Sequence, residues 1–411
     1  MLACSLVAGS MSGVSEVDRA LGWKSLDAPG AFRGYRQSEL PSKGWSMKDG
    51  VLRHEAGGGG GDVITREQFG DFELEVEFKL GAKANSGIMY RVAEKHDATW
   101  MTGPEFQLLD DVGHQAKPTD GHSCGALYDL ASPPEDKTVL PAGEWNTARI
   151  RLFDGVVQHF LNGKKVVDQR VDGPEWKAKI AASKFKDYEG FGVLRQGHLA
   201  FQDHGDEVSL RNIRVRRLDE ATSGTRDLFN GKDLDGWTFF LADGGKMEDV
   251  WSVRDGVLIC TGTPAGYIRT KEDFRNYVLT LDWRWNPETK KAGNSGVLVR
   301  MIGEDKIWPR SVEAQLFSGR AGDFWNIGDY VMTADPARTN GRNTKHTHAA
   351  ERPVGEWNHY EIIVNRGDVI VRVNGEELNR ATGVEENAGK ICLQSEGSEI
   401  HFRNVRITPL D

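Results

Sequence analysis

Phe72-Glu73-Leu74-Glu75-Val76-Glu77-Phe78 alternates apolar and acidic residues without interruption. A period of two predicts a strand with one face on a core and the other toward water. Tyr277-Val278-Leu279-Thr280-Leu281-Asp282-Trp283 carries a similar pattern in the second half of the chain. Val157-Gln158-His159-Phe160-Leu161 runs into Asn162-Gly163, and Val369-Ile370-Val371-Arg372-Val373 into Asn374-Gly375. Asn-Gly accepts positive φ at both central positions of a tight turn, so each pair predicts a hairpin. Apart from Glu175 to Phe185, few segments have helical composition. Many short strands with hairpin signals predict an all-β chain of packed antiparallel sheets.

These strands belong to a longer repeat. W-S-M-K-D-G-V-L (45–52) returns as W-S-V-R-D-G-V-L (251–258), N-S-G-I-M-Y-R (85–91) as N-S-G-V-L-V-R (294–300), and P-E-F-Q-L (104–108) as V-E-A-Q-L (312–316). G-E-W-N recurs at 143–146 and 355–358, and G-H-L-A-F-Q-D-H-G-D-E-V-S-L-R-N-I-R-V (197–215) as G-K-I-C-L-Q-S-E-G-S-E-I-H-F-R-N-V-R-I (389–407). Units this long, occurring twice, each close their own core, which excludes a solenoid of short repeats. The boundaries read as an N-terminal segment 1–21, a first domain 22–218, a polar linker 219–225 and a second domain 226–411.

The net charge of −9 is spread through the chain, with 52 Lys and Arg against 61 Asp and Glu. No clustered basic face is visible, so nucleic acid is not expected as a partner. No stretch is long and apolar enough to span a bilayer. Residues 1–10 are small and apolar, like the tail of a secretion signal, which predicts a periplasmic or secreted protein; a frayed cytoplasmic terminus is the alternative. Cys124, Cys260 and Cys392 read as buried thiols, with a Cys260–Cys392 disulfide open if the compartment is oxidising. The run Gly57–Gly61 lacks a following Lys-Ser/Thr and a helix, so it predicts a bent connection and not a phosphate loop.

L-F-N-G-K-D-L-D-G-W (228–237), with G-D-V-I-T-R-E-Q-F-G-D-F-E-L (61–74), N-S-G-I-M-Y-R, P-E-F-Q-L-L-D-D (104–111), G-E-W-N and G-H-L-A-F-Q-D-H-G-D-E-V, resembles the 3-keto-disaccharide hydrolase family. That family is also named for 3-keto-glucoside 1,2-lyase and 3-keto-2-hydroxy-glucal hydratase activities. The resemblance covers nearly the whole chain as two family domains. It implies two concanavalin A-like jelly-roll β-sandwich domains in tandem, a 3-keto-sugar substrate and export in bacteria.

A ketone at sugar C3 acidifies the C2 proton. Removing it lets the enediolate expel the group on C1, and water then adds to the glycal. This route needs a general base, an electrophile or metal at the C3 oxygen and an acid for the leaving oxygen. Glu105 and Gln107 are two apart and so share a strand face. Glu105, Asp203 and His204 are the catalytic candidates, and Tyr90, Arg91, Gln107, Trp100 and Lys184 the substrate-binding ones. Asp110, Asp111 and His114 offer ligands for a divalent metal of unknown identity. Each has a plainer alternative: Glu105 and Gln107 as partners of a buried Arg, Arg91 as a clamp on a carboxylate, the histidines as solvated surface groups.

The copies differ at these positions. Asp110 and Asp111 align with Ser318 and Gly319, Asp203 with Ser395, and His204 with Glu396. Copy two is also shorter between G-E-W-N and the last repeated strand, lacking much of 176–193 with Lys184. The first domain is therefore expected to be the catalyst, with Glu313, Gln315 and Arg300 retaining a sugar groove in the second. Of twelve Trp, the matched Trp45, Trp251, Trp145 and Trp357 are expected in the cores. Trp100, Trp308 and Trp325 are expected as platforms for sugar rings. An enzyme cleaving 3-keto-glycosides, by elimination and hydration or by hydrolysis, is the first reading. A non-catalytic lectin-like protein is the alternative, because fold alone does not fix activity; a conventional two-carboxylate glycosidase is a third option.

Overall fold

The computed structural model describes residues 15–28 and 30–411; the signal-like residues 1–10 and Cys4 lie outside that range. Two compact units divide the described chain. Gly22–Ala221 forms the first, and Ser15–Leu21 with Thr222–Asp411 the second. The helix Glu16–Ala20 is capped by the Ser15 hydroxyl and tied to the second unit by a hydrogen bond from Thr222 Oγ1 to the Ala20 carbonyl.

The first unit is an antiparallel jelly-roll sandwich. Its larger sheet runs, in spatial order, Lys164–Arg170, Val156–Leu161, Asn146–Phe153, Phe72–Leu80, Val208–Arg217, Val51–His54 and Trp45–Lys48, and Lys24–Ser25 also pairs with Val208–Arg217. The facing sheet is Phe32–Gly34, Val63–Thr65, His198–Phe201, Asn85–Val92 and Glu105–Leu109. Phe72, Leu74, Val76 and Phe78 are buried in the core between them, together with Ile88, Phe106, Leu108, Leu199 and Phe201. The acids of the alternating strand meet arginines across the ladder. Arg216 Nε donates to Glu73 at 2.9 Å, Arg214 Nε to Glu75 at 2.8 Å and Arg211 Nε to Glu77 at 2.8 Å. The pattern thus encodes a core on one face and a row of cross-strand ion pairs on the other.

The second unit repeats the plan. One sheet is Trp251–Arg254, Val257–Cys260, Ile400–Pro409, Tyr277–Trp285, Asn358–Asn365, Asp368–Val373, Glu376–Thr382 and Thr333–Ala334, with Arg226–Asp227 on Ile400–Pro409. The other begins Trp237–Leu241, Gly266–Thr270, Lys390–Ser395, Gly296–Ile302, Arg310–Gln315 and Phe324–Ile327. Both predicted Asn-Gly hairpins are present, with Asn162 at φ 50° and Asn374 at φ 51°. The predicted helical segment is the helix Gly173–Ala181 of the first unit.

Arg91 and Arg300, the last residues of the repeated N-S-G motif, both adopt left-handed φ, 55° and 53°. Each lies against a glycine on the neighbouring strand. A Cβ on Gly197 would lie 2.4 Å from the Arg91 carbonyl carbon, and one on Gly389 2.6 Å from that of Arg300. The register shifts beside both arginines, so the paired motifs record a bulge that only glycine opposite can accommodate.

Two expectations fail here. Trp145 and Trp357 are half-buried and not core: Arg211 and Lys79 lie over the first ring at 4.0 and 4.9 Å, and Arg403 and Arg284 over the second at 4.2 and 4.3 Å. Their repetition records cation–π stacking outside the core. Trp45 and Trp251 are buried as expected. Cys124, Cys260 and Cys392 are free and buried, as expected, and the alternative Cys260–Cys392 disulfide is not formed.

Candidate active site in the first domain

Glu105–Leu109 is an edge strand. Phe106 and Leu108 enter the core, which turns Glu105 and Gln107 to the opposite face of the sheet. Gly87 is paired with Gln107, and Met89 with Glu105. A Cβ on Gly87 would lie 2.0 Å from Glu105 Oε1, so this glycine of N-S-G leaves room for the carboxyl group. Gly296 does the same for Glu313 in the second domain, at 2.4 Å.

Glu105 stands in the wall of a cavity of about 610 Å³ that is also lined by Gln107, Trp100, Lys184, Asp203 and His204. Glu105 is 8% exposed. Burial, reinforced by the Asp62 charge and partly offset by Lys184, pushes its carboxyl up to about 8. Lys184 Nζ sits 4.0 Å over the Tyr128 ring, and Tyr188 meets Trp100 edge-on at 5.0 Å. Lys184, Phe185 and Tyr188 come from the segment that copy two lacks, so that segment forms one wall of the cavity.

Asp203 and His204 reach the cavity on the turn after His198–Phe201. The Asp203 carboxylate accepts hydrogen bonds from the Gly61 and Gly205 amides, both at 2.9 Å, and lies 3.1 Å from Nε2 of fully buried His54. It therefore ties the glycine-rich connection to the His204 turn. His204 is exposed at the cavity margin.

Sequence reasoning missed Asp62. Its carboxylate accepts from the Asp203 amide at 2.9 Å and from the Thr99 hydroxyl, and burial raises its ionisation from the ordinary aspartate value. A signal existed, because sheet register places Tyr267 of copy two where copy one has Asp62. The His54–Asp203 pair is likewise exchanged as a unit for Cys260 and Ser395, which are in side-chain contact. The glycine run is a connection, as expected, but Gly60 and Gly61 also line the cavity.

Other candidates lie elsewhere. Tyr90 shares strand parity with Ile88 and is buried in the core, its hydroxyl 3.2 Å from His159 Nε2. The bulge directs Arg91 toward Asp71, at 3.8 Å, and a different cavity. Asp110 and Asp111 are engaged structurally, the first accepting from the Lys83 amide at 2.8 Å and the second paired with Lys137 at 2.9 Å. His114 Nε2 lies 2.9 Å from the Lys83 carbonyl. These three do not form a ligand set, and among the described residues no group of three or more His, Cys, Asp or Glu is placed to hold a metal ion. In the second domain Trp308 is exposed, and Trp325 packs beside the buried cluster of Tyr267, Leu298 and Cys392. His346 and His348 pair separately with Asp323 and Glu376, at 2.7 and 2.9 Å.

The first domain is thus a jelly-roll sandwich whose sheet carries a cavity with the buried Glu105 carboxyl group in its wall. The chain belongs to the family of the 3-keto-alpha-glucoside-1,2-lyase-like domain, which matches residues 22–216 and 224–408. It is 34% identical over 218 residues to the 3-keto-disaccharide hydrolase of Bacteroides thetaiotaomicron, covering 46% of this chain and 74% of that protein. A solved structure from Parabacteroides distasonis, provisionally described as a glycosyl hydrolase, is 30% identical, with a TM-score of 0.45 over 50% of this chain and 99% of that one. A second from the same organism, described alike, is 27% identical, with a TM-score of 0.37 over 48% and 99%. The family and the curated relative support a carbohydrate-active hydrolytic role.

Proposed function

We propose that the first domain cleaves 3-keto-glycosides in an exported protein, and that Glu105 is the base that removes the C2 proton. The supporting observation is the buried Glu105 carboxyl beside Gly87, with its ionisation pushed up to about 8. A carboxylate made this basic by desolvation accepts a carbon-bound proton better than a solvated one. The C2–H electron pair becomes the enolate π bond, then forms C1=C2 as the C1–O bond breaks and the C3 ketone returns. His204, at the cavity margin, gives the leaving oxygen its proton. Lys184, the one Lys or Arg among the cavity residues, faces the enolate oxygen. Water then adds across C1=C2, so the net change is hydrolysis. The second domain keeps Glu313 and Gln315 without counterparts of Asp203, His204 or Lys184, which favours sugar binding without turnover.

The base must be ionised to work. On a 3-keto-glucoside, kcat/KM should rise with pH toward about 8 as Glu105 ionises; a fall through that range would assign Glu105 as an acid instead. An ordinary glucoside should not turn over. His204→Ala should lower turnover by about a hundredfold, while Glu396→Ala leaves it intact, both measured on proteins with unchanged thermal unfolding. The reverse pattern would make the second domain the catalyst. Export is tested by fractionating cells that express the natural gene.

A further inference from the structure

Arg91 and Arg300 occupy the same bulge in the two domains, yet their guanidinium groups meet different surroundings. In the second domain Arg300 is fully buried and donates to the main-chain carbonyls of Glu385, at 2.7 Å, and Arg366. Arg366 begins a hairpin turn whose counterpart in the first domain is Asp154. There the Asp154 carbonyl receives Arg170 instead, at 3.3 Å. Arg91 is 8% exposed, its Nε has no hydrogen-bond partner, and its nearest carboxylate, Asp71, stands off at 3.8 Å. Nε is unpartnered in Arg300 as well, so the two domains differ at the Nη groups: those of Arg300 donate to main-chain carbonyls, whereas the contact of Arg91 is the 3.8 Å approach to Asp71, and a buried donor short of acceptors is costly.

The space Arg91 faces is a cavity of about 640 Å³, separate in its lining from the Glu105 cavity. Its acids are Asp71, Asp154, Asp172 and Asp219. Its bases are Arg91, Arg170, Lys177 and Arg195. Equal numbers of carboxylates and cations give no net field to hold an ion, but they give paired acceptors and donors around one space. That balance suits a neutral molecule whose groups both donate and accept, as the hydroxyls of a saccharide do. Arg91 Nη2 and Asp71 Oδ1, 3.8 Å apart, are near enough for one hydroxyl lying beside them to accept from the guanidinium and donate to the carboxylate. Trp176, Lys177 and Val193 of the segment that copy two lacks line this cavity, as Lys184, Phe185 and Tyr188 line the other.

We infer that the first domain carries a second saccharide-binding site at Arg91 and Asp71, which takes a neutral hexose unit and performs no chemistry. The inference rests on the carbohydrate reading of the protein, and separate readouts test the two. Hydrogen exchange by mass spectrometry on the full chain, with methyl α-D-glucopyranoside at tens of millimolar, should show protection of peptides covering 170–177 and 193–197. The exposed variants Asp172→Ala and Arg195→Ala should lose that protection at least tenfold in apparent affinity while turnover of a 3-keto-glucoside stays unchanged. Protection confined to peptides around Glu105, the same protection in both variants, or no protection at all would overturn the site. Protection by glucuronate or inorganic phosphate but not by the neutral glucoside would also overturn it, since the site would then select charge. Loss of turnover with protection intact would count against the catalytic proposal alone.

Discussion

Replacing Glu105 with Gln should abolish most activity and make the protein more stable. The catalytic loss is expected near a thousandfold in kcat/KM, within the range for removing a positioned base. The stability gain follows from linkage. With folding, the Glu105 ionisation rises from 4.5 to about 8, so its contribution is intact below pH 4.5 and declines as pH rises, levelling above about 8. At pH 7 the deficit approaches about 3 kcal/mol as an upper figure, at 1.36 kcal/mol per unit. Gln is also a buried polar group, which would ordinarily cost about 1–3 kcal/mol. The protonated acid presents a comparable polar group, so that cost largely cancels and the ionisation penalty decides the sign. Chemical unfolding of both proteins at pH 5 and pH 8 checks this. Equal stability at both pH values would show that Glu105 carries no ionisation penalty.

Gly87→Ala should inactivate the enzyme about as fully without touching an ionisable group. The added methyl would lie 2.0 Å from Glu105 Oε1 and 2.6 Å from its Cδ. Because the carboxyl end of Glu105 can swing aside, the fold survives, with a cost of about 1–3 kcal/mol at most. The base then leaves its working position, and misplacement by even about 1 Å costs about a hundredfold. A drop of several hundredfold in kcat/KM with native thermal unfolding is expected. Near-normal turnover in Gly87→Ala would show that the observed Glu105 position is not the catalytic one.

The fold was legible in the sequence because its strands obey a period of two and its hairpins use Asn-Gly, both local signals. Glu105 and Gln107 were legible for the same reason. The 54-to-203 and 62-to-99 partnerships were not, because His54 and Asp203, or Asp62 and Thr99, meet only when distant strands and loops converge. Comparing the repeats could have exposed them, since His54 and Asp203 are exchanged together for Cys260 and Ser395. Tyr90 and Arg91 misled because motif proximity was read as proximity in space. Strand parity buries one, and the bulge turns the other away.

The central claim is that Glu105 removes the C2 proton before the C1 bond breaks. The most direct measurement is turnover of a 3-keto-glucoside in D₂O, quenched at early times, with deuterium at C2 of the released sugar read by NMR and enzyme-free product as the control for spontaneous exchange. The account predicts deuterium at C2 in step with product release and almost none formed by Glu105→Gln. Product released at full rate with its C2 proton retained would contradict it and point to direct hydrolysis.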